Sequence, residues 1–276
     1  MSELLLQQIL LQRAQHASTY PDQESVEEFV NELFAFLFLS RDHRSPEKAD
    51  IQRQFDHLRW YLASLLSDVH HNAKESQNIS NDFFALLPQL YQQLLKDAQA
   101  IADFDPAANS LQEVFVAYPG FFAISVYRWA HALHDQQAKT LPRLFTEYAH
   151  RRTGIDIHPG AIIGESFFID HGTGIVIGET AVLGDRVKVY QGVTIGGLFD
   201  TDHKQDKRHP TIEDDVIIYA NATILGGNTI IGKGSTIGGN VWLINSVAPS
   251  SFVCQKNDIL PLTVYPSISA TQLKTA

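Results

Sequence analysis

The sequence holds one cysteine, Cys254, and one methionine among 276 residues. A lone cysteine excludes an internal disulfide. No uninterrupted apolar run of ~18 residues is present, which argues against a membrane span. No charged segment followed by an apolar one opens the chain, so the expected compartment is the cytoplasm. Basic residues are outnumbered, 21 Lys and Arg against 31 Asp and Glu, for a formal net charge of −10. With no Lys/Arg-rich face to set against that balance, nucleic acid is not an expected partner.

What the sequence has in abundance is a period of six. From Ile157 aliphatic residues recur at Ile163, Ile169 and Ile175, slip by two, and continue at Ile177, Leu183, Val189 and Ile195. They resume at Ile212, Ile218 and Ile224, then, after a step of seven, at Ile231, Ile237 and Leu243. Neither the 3.6 of a helix nor the 2 of a half-buried strand fits. A hexapeptide solenoid does, with three short strands and three turns closing a coil of about eighteen residues. The aliphatic residues are expected at the corners, each stacked on its equivalents in the coils above and below. Gly164, Gly178, Gly184, Gly196, Gly232 and Gly238 hold a phase of their own, as turn residues would.

The period stops between Leu198 and Pro210, in LFDTDHKQDKRHP. A loop protruding from one corner is the simplest reading, and such insertions gather on the binding face of repeat proteins. His203, Lys204, Lys207, Arg208 and His209 give it a local charge opposite to that of the whole chain, suited to an anionic ligand.

The first half is patterned as helices. Ser25 and Glu28 form a capping-box pair ahead of Val26, Phe29, Val30, Leu33, Phe34 and Leu37. A second helix follows over Ile51–Val69, and a third over Asn81–Phe104 with Pro88 as a kink or restart. Ser110 and Glu113 repeat the cap signal. Tyr118, Pro119 and Gly120 break that helix, the next covers Phe121–His134, and the last runs from Pro142 to Arg152 and stops at Gly154. The expected fold is α+β: an all-helical domain over residues 1–153, a parallel β-helix over 154–250 with one protruding loop, and a short tail over 251–276. Flat solenoid faces suit symmetric association, so a homo-oligomer is expected.

Chemistry is sought where ionisable residues break the repeat. IDIHPG at 155–160 and IDHGTG at 169–174 each set Asp and His beside a position that elsewhere prefers a small residue. Asp156 and Asp170 are about one coil apart, which suggests that Asp156 reaches His171. An imidazole oriented by a carboxylate serves as a general base. His158, beside Pro159 in the first full coil, reads more simply as a cap of the solenoid.

The segment from Gly154 to Pro249, with TGIDIHPGA, FIDHGTGIVIGETA, YQGVTIGG, KRHPTIED and ATILGG, resembles the serine O-acetyltransferases of cysteine biosynthesis. DFDPAA at 103–108 and YPGF leading into YRWAHALH at 118–134 are similar to that family's helical region. The resemblance implies a left-handed β-helix and transfer of acetyl from acetyl-CoA to L-serine, with no metal. It implies His171 as general base and Asp156 as the carboxylate paired with it. Asp105, Asp170, Arg208 and His209 match residues that hold the amino acid, and Gly197 and Ala220 fall where the family's backbone meets coenzyme A. It further implies trimers with active sites between subunits, paired in many members through the helical domain, and L-cysteine as a candidate inhibitor. A chain ending in Ala276 rather than isoleucine makes the family's complex with its sulfhydrylase partner an unfavoured expectation.

The chemistry agrees with that implication. A serine hydroxyl needs a base as it attacks, and histidine, titrating near ~6.5 in water, is suited to that work. Arg208 offers a planar fork for a carboxylate, and Asp105 and Asp170 offer charge for an ammonium. Three other readings stand beside it: a hexapeptide acetyltransferase with a sugar or xenobiotic acceptor, a carbonic anhydrase-like enzyme with zinc on His158, His171 and His209, and a non-catalytic scaffold.

Overall fold

The computed structural model describes residues 3–15, 21–39, 47–70, 72–198 and 207–255. His203, Lys204 and most of the tail therefore lie outside the described residues. Among those described, seven helices come first: α1 (Glu3–Gln15), α2 (Gln23–Phe38), α3 (Lys48–His70), α4 (Ala73–Phe104), α5 (Leu111–Ala117), α6 (Pro119–Asp135) and α7 (Leu141–Thr153).

Local signals set most helix ends. Ser110 Oγ accepts the Glu113 N–H at 3.1 Å at the start of α5, and Pro119 is the first residue of α6. Gly154 closes α7 at φ +71°, a left-handed conformation that costs a Cβ-bearing residue far more. The α2 cap differs from expectation. Asp22, not Ser25, is the cap: its carboxylate accepts the Ser25 N–H at 3.1 Å, which puts Ser25 already inside the helix. α4 also starts earlier than its apolar pattern suggests, capped by Asn72 accepting the Glu75 N–H, and runs unbroken through Pro88.

Among the described residues fourteen strands of two or three residues follow, from β1 (Asp156–Ile157) to β14 (Phe252–Val253). They form three parallel faces of a left-handed β-helix. The first face stacks β1, β4 (Val176–Ile177), β7 (Thr194–Gly196), β10 (Thr223–Leu225) and β13 (Trp242–Leu243). The second stacks β2 (Ile162–Ile163), β5 (Val182–Leu183), β8 (Thr211–Ile212) and β11 (Ile230–Ile231). The third stacks β3 (Phe168–Asp170), β6 (Lys188–Tyr190), β9 (Ile217–Ile218), β12 (Thr236–Ile237) and β14. β14 thus extends the solenoid past residue 250, into the segment read as tail.

The periodic aliphatic residues pair in register up each face: Ile157, Ile177, Ile195, Ile224 and Leu243 on the first, and Ile169, Val189, Ile218, Ile237 and Val253 on the third. They sit within the strands and point inward, which corrects the expectation that they occupy the corners. A second inward column, with Ala161, Ala181 and Ala222 among its members, lies two residues earlier and is fully buried. Two inward residues per hexapeptide fill a coil with no room for a helix, and burial of each large aliphatic residue contributes roughly 1.5–3 kcal/mol.

One contiguous core joins the two halves. Three residues of α6 donate to the backbone of the first coil: Tyr127 to the Ala161 carbonyl at 2.6 Å, His131 Nδ1 to the Pro159 carbonyl at 2.8 Å, and Arg128 to the Ile163 and Gly164 carbonyls at 3.2 and 2.8 Å. Arg128 also pairs at 2.5 and 2.8 Å with Asp97 of α4, whose carboxylate accepts the Phe167 N–H. Buried charges at this junction are matched on every side. They hold α4 and α6 against the first coil, at residues 163–167.

Candidate active site

The two-residue slip in the repeat is the site's origin. From Tyr190 at the end of β6 the backbone reaches buried Val193 in three steps, but from Asp170 at the end of β3 it reaches buried Ile175 in five. Gly192 N–H bonds to the Thr173 carbonyl just as Asn221 N–H bonds to that of Gln191, so the extra pair is His171 and Gly172. Both take left-handed backbone, at φ +56° and +89°. Gly172 packs on Ile155, where a Cβ would come within 2.4 Å of its Cδ1. His171 is pushed outward at the edge between the third and first faces, its side chain 69% exposed beside Asp170 at 19%, with Nδ1 3.5 Å from Asp170 Oδ1.

The helical half supplies the wall of this edge. Asp105 ends α4, and in the sequence Asp-Pro-Ala its Oδ1 accepts the Ala107 N–H at 2.8 Å, a turn that Pro106 favours through its fixed φ. Oδ2 accepts the Tyr118 hydroxyl at 2.6 Å. The Tyr118 hydroxyl, the Ala107 N–H and the nearby charge of His171 hold the Asp105 carboxyl below its usual range. The same hydrogen bond pushes the Tyr118 phenol up to about 12. At Gly120, the second residue of α6, a Cβ would lie 2.8 Å from the Ile169 carbonyl oxygen. That close approach brings Tyr118 against the end of β3. Tyr190 and Tyr219 continue the edge upward as a stacked pair, 5.0 Å between ring centres.

A second cluster occupies the edge between the first and second faces. His209 is buried, and its Nδ1 accepts the Thr180 N–H at 3.0 Å. The ring is therefore neutral with its proton on Nε2, which faces Gly178. Burial first, and then the Arg208 charge, lower its pKa to about 4. Thr180 Oγ1 accepts the N–H groups of Arg208 and His209 at 3.0 and 3.1 Å, so this threonine is the peg on which the returning arm of the loop hangs. The Arg208 guanidinium is paired with Glu179. His158 lies on the same edge, Nδ1 accepting the Gly160 N–H at 3.0 Å, its pKa lowered by burial and by Arg143.

The site residues expected from sequence thus divide between two edges that border the first face. Asp105, Asp170 and His171 meet at one, and Arg208 and His209 at the other. Ala220 lies on the first edge, beside Tyr219, its carbonyl accepting the Asn240 N–H. Gly197 lies on the second, where a Cβ would come within 3.4 Å of the Arg208 carbonyl oxygen. Asp156, expected as the carboxylate paired with His171, lies 3.8 Å from Arg143 of α7 in the single chain, near Glu147 and His150, while Asp170 is the carboxylate beside His171 Nδ1. Nor do His158, His171 and His209 converge within one chain as zinc ligands would. Sequence reading missed Tyr118, Glu179 and Thr180 as site residues. Glu179 had a signal, a charge at a corner of the repeat, whereas Tyr118 looked like a helix break.

Comparison with known proteins gives one consistent result. A family model for "Serine acetyltransferase, N-terminal" matches residues 49–126. A plasmid-encoded serine acetyltransferase of Synechococcus elongatus is 50% identical over 189 residues, covering 66% of this chain and 59% of its own length. The serine acetyltransferase of Bacillus subtilis is 46% identical over 163 residues, covering 59% of this chain and 73% of its own. The crystal structure of Entamoeba histolytica serine acetyltransferase 1 in complex with L-cysteine superposes with a TM-score of 0.77 at 33% identity, covering 82% of this chain and 86% of that one. Among the described residues, no helix is long and apolar enough to cross a membrane.

Proposed function

The chain belongs to the serine acetyltransferase family, and from that premise we propose that its two edges share one reaction, transfer of acetyl from acetyl-CoA to the hydroxyl of L-serine, giving O-acetyl-L-serine and CoA. The observation that carries this reading is the convergence of Asp105, from the end of α4, with Asp170 and His171, from the end of β3, onto one solenoid edge. Two carboxylates there receive the ammonium of serine, which sets its hydroxyl toward His171. His171 takes the hydroxyl proton as the oxygen attacks the thioester carbonyl. Collapse of the tetrahedral intermediate breaks the C–S bond, and the imidazolium returns the proton to the departing thiolate. Asp170 stabilises the imidazolium while it lasts.

The serine carboxylate is assigned to Arg208, which exchanges Glu179 for the substrate, while neutral His209 offers an Nε2–H beside it. Because Arg208 and His171 lie on different edges, a complete site takes the second edge from a neighbouring subunit in a homotrimer, either alone or as a dimer of trimers. Gly197 and Ala220, one on each edge, are assigned backbone contacts with coenzyme A. Asp156 remains a carboxylate within one coil of His171 and competes with Asp170 for it once Arg143 is otherwise paired. The Entamoeba relative was crystallised with L-cysteine. Cysteine carries the same ammonium and carboxylate as serine, and its inhibition of this chain through the same contacts is part of the proposal.

Thiol release from acetyl-CoA with L-serine, homoserine and simple sugars as acceptors tests the reading. Serine is expected to be preferred by orders of magnitude, with activity unchanged after exhaustive chelation. A sugar preference, or loss of activity that zinc restores, overturns it.

A further inference from the structure

We infer that Tyr118 is a positioning residue that sets specificity for an amino-acid acceptor, by locking the Asp105 carboxylate in the one orientation that presents it to the substrate's ammonium. The inference rests on the reading of Asp105 as an ammonium site and adds a residue that reads in the sequence only as part of the YPGF helix break, with no role in the chemistry. An ionised carboxylate has about four lone-pair positions. In this chain one on each oxygen is taken by a protein donor, the Ala107 N–H on Oδ1 at 2.8 Å and the Tyr118 hydroxyl on Oδ2 at 2.6 Å. The two donors come from opposite sides, one from the Asp105 turn and one from the start of α6. Together they fix both torsions of the aspartate, which on an exposed turn would otherwise sample several rotamers.

The anchor of that lock is itself rigid. Tyr118 caps α6, Pro119 sets the backbone after it, and Gly120 lies against the Ile169 carbonyl. The backbone that carries the phenol is therefore held in place against β3. Its proton is secure as well, because the pairing with Asp105 pushes it up to about 12, so it donates across the working pH range. Asp105 stays an anion for the same reason. A donor that holds a carboxylate without neutralising it preserves charge for a cation. A lysine or arginine at this place would consume it.

The test is Tyr118→Phe in the full chain, with Asp105→Asn and the double variant beside it, followed by thiol release at varied serine and saturating acetyl-CoA. Tyr118→Phe is expected to raise the serine KM about tenfold, as loss of a hydrogen bond to a charged group does, with kcat within about twofold and the acetyl-CoA KM unchanged. The acid limb of kcat/KM for serine moves to higher pH, because Asp105 loses the donor that kept it ionised. On the Asp105→Asn background the same substitution adds nothing. If Asp105→Asn raises the serine KM but Tyr118→Phe does not, the lock is overturned and the ammonium site stands. If Asp105→Asn leaves the serine KM unchanged, the ammonium site itself falls and takes the lock with it. A parallel fall in kcat, in both KM values and in thermal stability makes Tyr118 a structural brace only, which also overturns the inference.

Discussion

His209 shows how one residue's surroundings decide its chemistry. In the sequence RHP it stands next to Arg208 and reads as a second cation for an anionic substrate. Its ring is instead buried and accepts the Thr180 N–H, with its pKa lowered to about 4, first by burial and then by Arg208. The unfolded chain binds a proton here near pH ~6.5. Because the folded pKa is depressed, the stability that neutral His209 contributes is fully present above that value and is lost as pH falls toward 4. His209→Gln, which keeps a neutral polar group, is expected to flatten the fall in melting temperature between pH 7 and 5 relative to the parent. Melting curves of the two proteins at matched pH decide it, and parallel slopes would count against a neutral, buried imidazole. The same exercise shows what sequence can reveal at this scale. His171 was legible because two extra residues broke the repeat beside an Asp. Its surroundings were less legible, because whether Asp156 turns toward His171 or toward Arg143 depends on α7, a helix whose packing no local pattern records.

At the scale of elements, the solenoid was legible and the docking of the helices onto it was not. A period of six forces strands to stack on strands, so register follows from spacing alone. Where α6 lands follows from contacts between residues far apart in the chain: Tyr127, Arg128 and His131 donating to carbonyls at 159–164, and Gly120 lying on Ile169. Helix starts were misread for a related reason. Ser25 and Glu28 have capping-box spacing, but Asp22 lies upstream and takes the Ser25 N–H first. Gly120 tests whether this docking serves the site. A methyl group there would meet the Ile169 carbonyl oxygen at 2.8 Å and Ile169 Cβ at 3.0 Å, and backbone atoms cannot swing away. Gly120→Ala is expected to cost about 1–3 kcal/mol through overpacking, and to lower kcat/KM for serine roughly a hundredfold because Asp170 follows Ile169 directly. Urea unfolding and serine kinetics on the same variant separate the two effects. A destabilised protein with parental kinetics would mean that α6 supports the fold but not the site.

At the scale of the whole molecule, the two edges of the first face carry separate clusters, which under the proposed function are two half-sites of one chain. The outer surface between and beside them carries apolar residues among threonines: Val176 and Trp242 on the first face and Ile162 and Ile230 on the second are exposed in the single chain. Apolar residues repeated along flat, regular faces suit a cyclic assembly in which the edge bearing His171 meets the neighbour's edge bearing Arg208. That geometry makes a prediction no single-chain site shares. His171→Ala alone is expected to lower kcat by about 10²–10⁴, and Arg208→Ala alone to cripple use of serine at ordinary concentrations. When the two inactive proteins are unfolded together in equal amounts and refolded, subunits mix at random. A site is then intact whenever an Arg208→Ala subunit presents its unaltered His171 to the unaltered Arg208 of a His171→Ala neighbour, which happens at about one interface in four. Roughly a quarter of parental activity is therefore expected from two proteins that are each nearly dead, whereas mixing them folded, without exchange, restores none. If co-refolding leaves the mixture inactive while the parent recovers under the same treatment, both edges must serve one chain, and the division of the site between subunits is wrong.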